Sequence, residues 1–458
     1  MVFSSILFLF RFLPVTLLLY YIAPVRWRNA LLLLLSLVFY TWGEVRFLPI
    51  MLCSALIDYF MGLCIQRYRH SRALCRLFLG ISLAVNLGLL GFFKYAGFFV
   101  ENVNNLLGWS IKSPNILLPL GISFYTFQTM AYTIDVYRDS FPAERSFVDY
   151  CTFVTLFPQL IAGPIVKYSD INRELRERRL DPYAIQRGVF TFIMGLGSKV
   201  LIANNIGALW SEVEELGFAN ISTPLAWMGI LAFALQIFFD FSGYSLMAIG
   251  LGRMLGFTFP QNFNYPYISR SVTEFWRRWH MTLSGWFREY VYIPLGGNRK
   301  GRGRQYLNLF VVWALTGLWH GASWNFVLWG LFFFFFLCVE KLFLLRWLER
   351  SRVLSRIYLL FLVTMGWVLF AITDFGELGI FLGRLFRYHP GAEWVYYLRN
   401  YLCTFVAAAA LSTPLLEWAA GKLRGNRVIT TAFALVVLLF SVAYLVDSSY
   451  NPFLYFRF

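Results

Sequence analysis

Apolar segments about as long as a bilayer is thick recur along the whole chain, and they constrain the fold more than any other feature. A helix needs roughly 20 predominantly apolar residues to cross the hydrocarbon core. Of the 458 residues, 59% are apolar and 20% are aromatic, which exceeds the usual apolar content of soluble domains. Ten-residue segments of alternating polarity, typical of membrane barrels, are absent. The candidate crossings are residues 3–24, 29–43, 47–66, 77–100, 115–134, 148–166, 185–206, 223–251, 306–345 (long enough for two), 355–373, 398–419 and 428–446.

These segments predict an all-α polytopic membrane protein with about 12 transmembrane helices, in a range of roughly 10 to 14, plus interfacial and re-entrant helices. We find no internal repeat and no soluble domain, so residues 1–458 are expected to form one integral-membrane domain. The first segment lacks a basic leader and a small-residue cleavage site, which favours a retained helix over a removable signal.

The positive charge is concentrated in short loops and predicts the topology. The formal net charge is +16, and short basic loops stay on the cytoplasmic side. Arg26 and Arg28 inside place the amino terminus outside, and a basic stretch at 422–427 inside places the carboxyl terminus outside. Anionic membrane lipid is the expected partner of this charge. Nucleic-acid binding is disfavoured because the basic residues do not belong to a soluble fold.

The six cysteines predict neither a disulfide framework nor a metal site. They lie in or beside apolar segments, and none forms a CxxC or Cys/His metal spacing. We therefore expect packing roles for them, no metal and no bound cofactor.

One apolar segment carries a regularly spaced polar face. In FALQIFFDFSGYSLM, Gln236, Asp240 and Tyr244 recur every four residues, which places them on one face of a helix. Ionisable groups at membrane depth need a partner, an aqueous cavity or a function. Two interpretations stay open, namely a hydrogen-bonded contact between helices and the lining of a substrate path.

His320 lies in ALTGLWHGASWNFVL, a segment that is otherwise apolar. With a helix beginning near Tyr306, fourteen residues raise the imidazole roughly 21 Å into a core of about 30 Å. Gly317 and Gly321 leave room for another backbone or a substrate to approach the ring. An imidazole exchanges protons near physiological pH, as general acid–base catalysis requires. A structural, hydrogen-bonded histidine is the alternative.

A second histidine, His280, lies in TEFWRRWHMTLSGWFREYVYIPLGGN. Tryptophan and tyrosine alternate there with arginine, a mixture typical of a helix lying at the headgroup level. The aromatic residues of this expected interfacial helix are Trp276, Trp279, Trp286 and Tyr290.

Taken together, the two histidine segments resemble the membrane-bound O-acyltransferase family, in the bacterial branch that modifies polysaccharides such as alginate. The segment TEFWRRWHMTLSGWFREYVYIPLGGNRKG is followed, some forty residues after His280, by LTGLWHGASWNFVLWG. Further matching stretches are residues 2–21, 118–138, 157–165, 238–257, 259–276 and 451–458. The resemblance therefore extends along the whole chain.

The resemblance implies a ring of helices around a thin centre with a tunnel, to which a cytoplasmic acyl donor and an external acceptor both have access. His320 matches the family's essential histidine, and His280 matches the second histidine of the bacterial branch, so the resemblance implies that both are catalytic residues. The candidates for the tunnel lining are Gln236, Asp240, Tyr244 and Trp319. The implied co-substrate is acetyl-CoA. The implied partners are an extracellular SGNH-hydrolase-like transferase and the machinery of polysaccharide synthesis or export, at the bacterial cytoplasmic (inner) membrane.

The chain ends in YNPFLYFRF, an aromatic tail expected to be extracellular over residues 447–458. It looks like the carboxyl-terminal tyrosine motif of the small partner protein used in teichoic-acid D-alanylation. On that interpretation Tyr455 is an acyl carrier. The alternative is an aromatic anchor at the membrane interface.

The favoured function is transfer of an acetyl group across the membrane to an exported or cell-surface polysaccharide. One alternative is transfer of D-alanine or another acyl group to teichoic acid or a cell-wall polymer. The alternative of another class is a polysaccharide or lipid transporter, which predicts inverted repeats and paired broken helices. The sequence contains neither.

Overall fold

The computed structural model describes residues 1–114, 116–161, 163–415 and 427–447, and regular structure within these ranges is helical throughout, with no β-strand. The α-helices of the first half are α1 (Leu13–Ile22), α2 (Arg28–Glu44), α3 (Leu48–Arg67), α4 (Arg72–Leu90), α5 (Ala96–Leu107), α6 (Ile122–Tyr137), α7 (Phe147–Thr155), α8 (Phe157–Leu160), α9 (Tyr168–Arg176), α10 (Pro182–Gly197) and α11 (Asn205–Leu216). Those that follow are α12 (Thr223–Met254), α13 (Val272–Arg278), α14 (Met281–Phe287), α15 (Arg302–His320), α16 (Trp324–Val339), α17 (Leu345–Leu348), α18 (Arg352–Ala371), α19 (Phe375–Phe386), α20 (Glu393–Leu411) and α21 (Arg427–Asp447).

Seven helical segments of the described residues are long and apolar enough to cross a membrane, and shorter apolar helices accompany them. The predicted all-α, multi-pass membrane protein is therefore confirmed, whereas the count of about 12 crossings is not. The seven are Val25–Arg67, Arg72–Leu107, Pro182–Leu216, Thr223–Met254, Trp324–Leu348, Arg352–Ala371 and Val428–Asp447.

Two expected crossings differ from the observed helices. In the segment 115–134 the helix begins only at Ile122, because Gly121 has a left-handed backbone (φ +75°) and Pro119 lies just before it. In the segment 148–166 the helix α7 ends at Thr155. The four-residue helix α8 follows, with Pro158 near its start. Both differences follow from the preference of glycine and proline for helix ends.

The described chain forms two compact units. One contains Met1–Phe192 and Ser245–Pro260, and the other contains Ile193–Tyr244 and Gln261–Phe458. The expectation of a single integral-membrane domain stays a prediction.

In the first unit, α3 packs against α4 and α6 around a buried carboxyl group. Asp58 is fully buried and accepts hydrogen bonds from the Ser82 hydroxyl, from Nδ2 of Asn86 at 2.7 Å and from the Thr133 hydroxyl at 3.3 Å. Because buried polar groups need partners, this network explains the carboxyl group in an apolar helix as a link among three helices.

In the second unit, α15 and α16 pack face to face through two glycines. A Cβ added to Gly317 would lie 2.4 Å from the backbone carbonyl oxygen of Phe326. A Cβ added to Gly330 would lie 2.4 Å from the backbone carbonyl oxygen of Trp313. Any side chain at either position would separate the helices. The α15–α16 pair is therefore held backbone to backbone at the depth of these glycines.

Three helices of the second unit change locally to π-helical turns. These turns are Ser198–Asn204 between α10 and α11, Arg288–Tyr292 after α14, and Glu340–Leu344 between α16 and α17. Such turns are rare in proteins, and those that occur are often found at functional sites. Two of them carry buried charged residues of the candidate site, as described below.

Candidate active site

His320 is the last residue of α15, where the helix stops and the chain turns into α16. The helix begins at Arg302, four residues before the expected start. Its imidazole is buried, with 5% exposure, and its ring centre lies 5.0 Å from Trp319, 5.0 Å from Trp329 and 5.3 Å from Phe370. The ring therefore lies in an aromatic enclosure inside the second unit.

The glycines beside His320 make the room that the sequence suggested, and other parts of the protein occupy it. Gly317 accommodates the Phe326 carbonyl, while at Gly321 the ring of Phe326 lies 2.2 Å from where a Cβ would stand. Gly317 and Gly321, which are four residues apart, thus allow the last turn of α15, which carries His320, to lie against α16.

His280 lies between α13 and α14 with a left-handed backbone, φ 42° and ψ 55°. This conformation costs a non-glycine residue of order 1–3 kcal/mol and is frequent at active sites. The imidazole is 1% exposed and its ring centre lies 4.7 Å from Phe241 and 5.9 Å from Trp319. Since Trp319 also packs on His320, one indole contacts both histidines.

The expected interfacial helix around His280 is wrong. Two seven-residue helices meet there at His280, and the four aromatic residues are buried inside the protein. Trp276, for example, packs against Trp313 and Phe333 with ring centres 4.9 Å away from each. Aromatic residues are common both in protein cores and at membrane interfaces, so the same sequence pattern suits either environment.

Asn262 holds the turn that carries His280. Its backbone carbonyl accepts a hydrogen bond from the amide of Met281 at 2.9 Å. Its Oδ1 lies 3.1 Å from Nδ1 of His280, and it accepts from the backbone amide of Thr282 at 3.3 Å and from the Thr282 hydroxyl at 2.9 Å. Three consecutive residues are therefore fixed by one buried asparagine.

Glu340 fixes the other end of α13. Its carboxylate, 1% exposed, accepts from the backbone amides of Val272 at 2.6 Å and Thr273 at 2.9 Å, and from the Thr273 hydroxyl at 2.7 Å. These amides belong to the first turn of the helix, whose positive dipole end favours a carboxylate. The π-helical turn after α16 therefore determines where the helix leading to His280 begins.

The polar face of α12 meets the segment that joins α10 to α11. Asp240 forms an ion pair with Lys199 on the π-helical turn, with Oδ1 and Nζ 2.6 Å apart and both side chains about 2–3% exposed. Gln236 packs over Gly207, where an added Cβ would lie 2.3 Å from its amide nitrogen. Tyr244 is also buried. The interhelical contact is thus present, and lining of a tunnel by Gln236, Asp240, Tyr244 and Trp319 stays a prediction.

Two further predictions from the sequence concern metal binding and the carboxyl-terminal tail. No group of three or more His, Cys, Asp or Glu side chains within the described ranges is placed to hold a metal ion. Tyr455 lies outside the described residues.

Sequence reasoning missed three residues of this site, namely Lys199, Asn262 and Glu340. Lys199 and Glu340 each interrupt an apolar stretch, GLGSKVLIA and FLCVEKLFL, so the rule that singles out intramembrane charges applies to them as well. Asn262 lies in an irregular segment, PQNFNYP, where no periodicity marks it. Only the tertiary structure connects it with His280.

Comparison with known proteins places these residues in a family. Residues 138–383 match the profile of MBOAT, the membrane-bound O-acyltransferase family. A probable alginate O-acetylase of Pseudomonas putida is 38% identical over all of both chains. Another, of Pseudomonas aeruginosa, is 44% identical over 81% of this chain and 72% of its own. A peptidoglycan O-acetyltransferase of Helicobacter pylori is 39% identical over 72% of this chain and 68% of its own. With both histidines inside the matched region and a relative aligned from end to end, this chain belongs to the membrane-bound O-acyltransferase family.

Proposed function

We propose that this protein transfers an acetyl group from a cytoplasmic thioester, acetyl-CoA, across the membrane for O-acetylation of an exported or cell-surface polysaccharide similar to alginate. The observation that carries the proposal is the enclosure of His280 and His320 against one indole, Trp319. The acetyl group and the polysaccharide class come from the names of relatives that align over most of the chain.

His320 acts in this proposal as the general base and acid. A hydroxyl that attacks a thioester must lose its proton, and the departing thiolate must gain one. The imidazole takes the proton from the hydroxyl and returns it to the thiolate, so neither histidine itself carries the acyl group. The aromatic enclosure keeps bulk water away and so limits hydrolysis of the thioester.

The further parts of the proposal concern placement and partners. The enzyme lies in the bacterial cytoplasmic (inner) membrane with both termini outside, as the basic loops indicate. An extracellular SGNH-hydrolase-like transferase completes the transfer, together with the machinery of polysaccharide synthesis or export. Tyr455 in the aromatic tail is the proposed acyl carrier between the two enzymes.

The test is transfer of radiolabelled acetyl from acetyl-CoA, supplied to membranes that contain the full chain or its His320→Ala variant. We expect labelled polymer with the wild type and a loss of at least about a hundredfold in the variant, the usual contribution of a general base. Equal labelling by both would remove the mechanism. Labelling from a D-alanyl donor alone would favour the teichoic-acid alternative, and polymer export without any labelling would favour a transporter.

A further inference from the structure

The hydrogen bonds around Asn262 determine which nitrogen of His280 carries the proton. A backbone amide only donates, so the Asn262 atom that meets the amide of Thr282 at 3.3 Å is the carbonyl oxygen. The same oxygen lies 3.1 Å from Nδ1 of His280. A carbonyl oxygen only accepts, and therefore Nδ1 is the protonated nitrogen. In a neutral imidazole the other nitrogen then carries a lone pair.

We propose that Asn262 is a positioning residue that holds His280 as the Nδ1–H tautomer, so that Nε2 accepts a hydrogen bond from a substrate N–H or O–H group other than the reacting hydroxyl, whose proton His320 takes. The proposal rests on the function proposed above and deepens it, because it assigns a role to the second histidine.

The alternative orientation of the asparagine is disfavoured by the same contacts. With its amide nitrogen turned toward His280 and Thr282, that nitrogen would face the Thr282 backbone amide, and two donors would meet in a buried site. Leaving buried donors without acceptors costs about 1–3 kcal/mol each. The hydroxyl of Thr282, 2.9 Å from the same oxygen, agrees with the orientation described.

This tautomer separates two roles that His280 can have beside the substrates. A histidine that polarises the thioester carbonyl must donate from the nitrogen facing the substrate, and an Nδ1–H imidazole has no proton on Nε2. A histidine that aligns an alcohol must accept, which this tautomer does. His280 therefore does not polarise the thioester carbonyl, and it aligns a bound substrate by accepting a hydrogen bond.

Burial keeps the ring in the neutral form that the argument requires. Burial lowers the pKa of His280 to about 3, so the imidazole is uncharged throughout the physiological range. An imidazolium would carry protons on both nitrogens and lose its capacity to accept.

The first experiment measures the tautomer directly, without reference to activity. The full chain is labelled with ¹³C,¹⁵N-histidine and reconstituted in lipid bilayers for solid-state NMR. The four histidines give few signals, and His280→Gln identifies the one of interest. We expect a protonated Nδ1 and an unprotonated Nε2 at His280. An Nε2–H tautomer in the wild type would overturn the proposal.

The second experiment uses the acetyl-transfer assay with a matched pair of variants. Asn262→Ala removes the acceptor of the histidine proton, whereas Thr282→Val removes only the neighbouring hydroxyl bond to the same oxygen. We expect Asn262→Ala to reduce transfer at least about tenfold, because misplacement of a group that positions substrate can cost up to about a hundredfold. Thr282→Val should stay within about twofold of the wild type. Equal losses in both variants would assign Asn262 a merely structural role and overturn the proposal.

A conservative replacement gives a pH readout. In Asn262→Asp a carboxylate still accepts from Nδ1, so transfer should recover relative to Asn262→Ala. The nearby negative charge favours the imidazolium and raises the pKa of His280, so transfer should fall at a higher pH on acidification than in the wild type. If transfer recovers but falls at the same pH as in the wild type, the assigned hydrogen bond between residue 262 and His280 is contradicted. Should His280→Gln transfer acetyl at the wild-type rate, the role of His280 in the proposed function fails, while the NMR result still decides its tautomer.

Discussion

At the scale of single residues, glycine determines how closely α16 can approach the end of α15 that carries His320. His320 follows Gly317 by less than one helical turn, and at Gly317 the backbone of α16 approaches so closely that no side chain fits. Glycine within a helix is ordinarily unfavourable relative to alanine by about 0.5–1 kcal/mol. Its presence here indicates that the close approach stabilises the protein by more than that cost.

Gly317→Ala should therefore destabilise the protein and reduce acetyl transfer. The new Cβ would lie 2.4 Å from the Phe326 carbonyl oxygen, and relief of such overpacking typically costs about 1–3 kcal/mol. Gly303→Ala is the control on the same helix, since nothing lies within 4 Å of its added Cβ. It should be neutral or slightly stabilising. The measurement is thermal unfolding of the reconstituted protein, and equal unfolding temperatures for both variants would contradict the packing argument.

At the scale of helices, the candidate site depends on contacts between elements that are distant in the sequence. The Lys199–Asp240 ion pair joins the π-helical turn after α10 to α12, and the next residue of α12, Phe241, packs on His280. Glu340 in turn connects the end of α16 to the start of α13. His280 is thus placed by helices that are distant from it in the sequence.

Asp240→Asn should strongly destabilise the second unit, because it leaves the Lys199 ammonium buried without its counter-charge. Breaking a buried pair in this way costs about 3–5 kcal/mol. Asp139→Asn is the control, since Asp139 pairs with Arg69 at the surface with 71% of its side chain exposed. Surface pairs contribute about 0–1 kcal/mol. Thermal unfolding of both variants decides the question, and the addition of Lys199→Met to Asp240→Asn should restore part of the stability. Similar losses in the two asparagine variants would count against the buried pair.

At the scale of the whole molecule, the sequence predicts the fold class and both histidines, but not how the histidines are held. The hydrophobic segments are local signals, and the segment 306–345, which is long enough for two crossings, contains the two helices α15 and α16 in the structure. The partners of the site are not local signals. Asn262 precedes His280 by eighteen residues, and the two become neighbours only when the irregular segment between α12 and α13 folds. Likewise, aromatic residues near His280 suit a membrane interface and a protein core equally well, and burial distinguishes the two.

The aromatic tail allows a test of how the enzyme connects with its proposed partner. Tyr455→Phe keeps an aromatic ring and removes the phenolic oxygen that an acyl carrier needs. We expect polymer acetylation to be lost in cells that carry this variant, because no phenolic oxygen is left to form the ester with the acyl group. Tyr450→Phe, in the same tail, is the control and should acetylate normally. Undiminished acetylation by Tyr455→Phe would leave the tail as an anchor only.

The π-helical turn at Ser198–Asn204 also restricts the insertions and deletions that this part of the chain can tolerate. Each residue of a helix turns the chain by about 100°, so deletion of one residue within the turn would rotate α11 relative to α10 by that angle. Gly207 would no longer lie beneath Gln236, and Lys199 and Gly207 would no longer face α12 together. Insertions and deletions among related chains should accordingly accumulate outside 198–207, even where substitutions within it are tolerated.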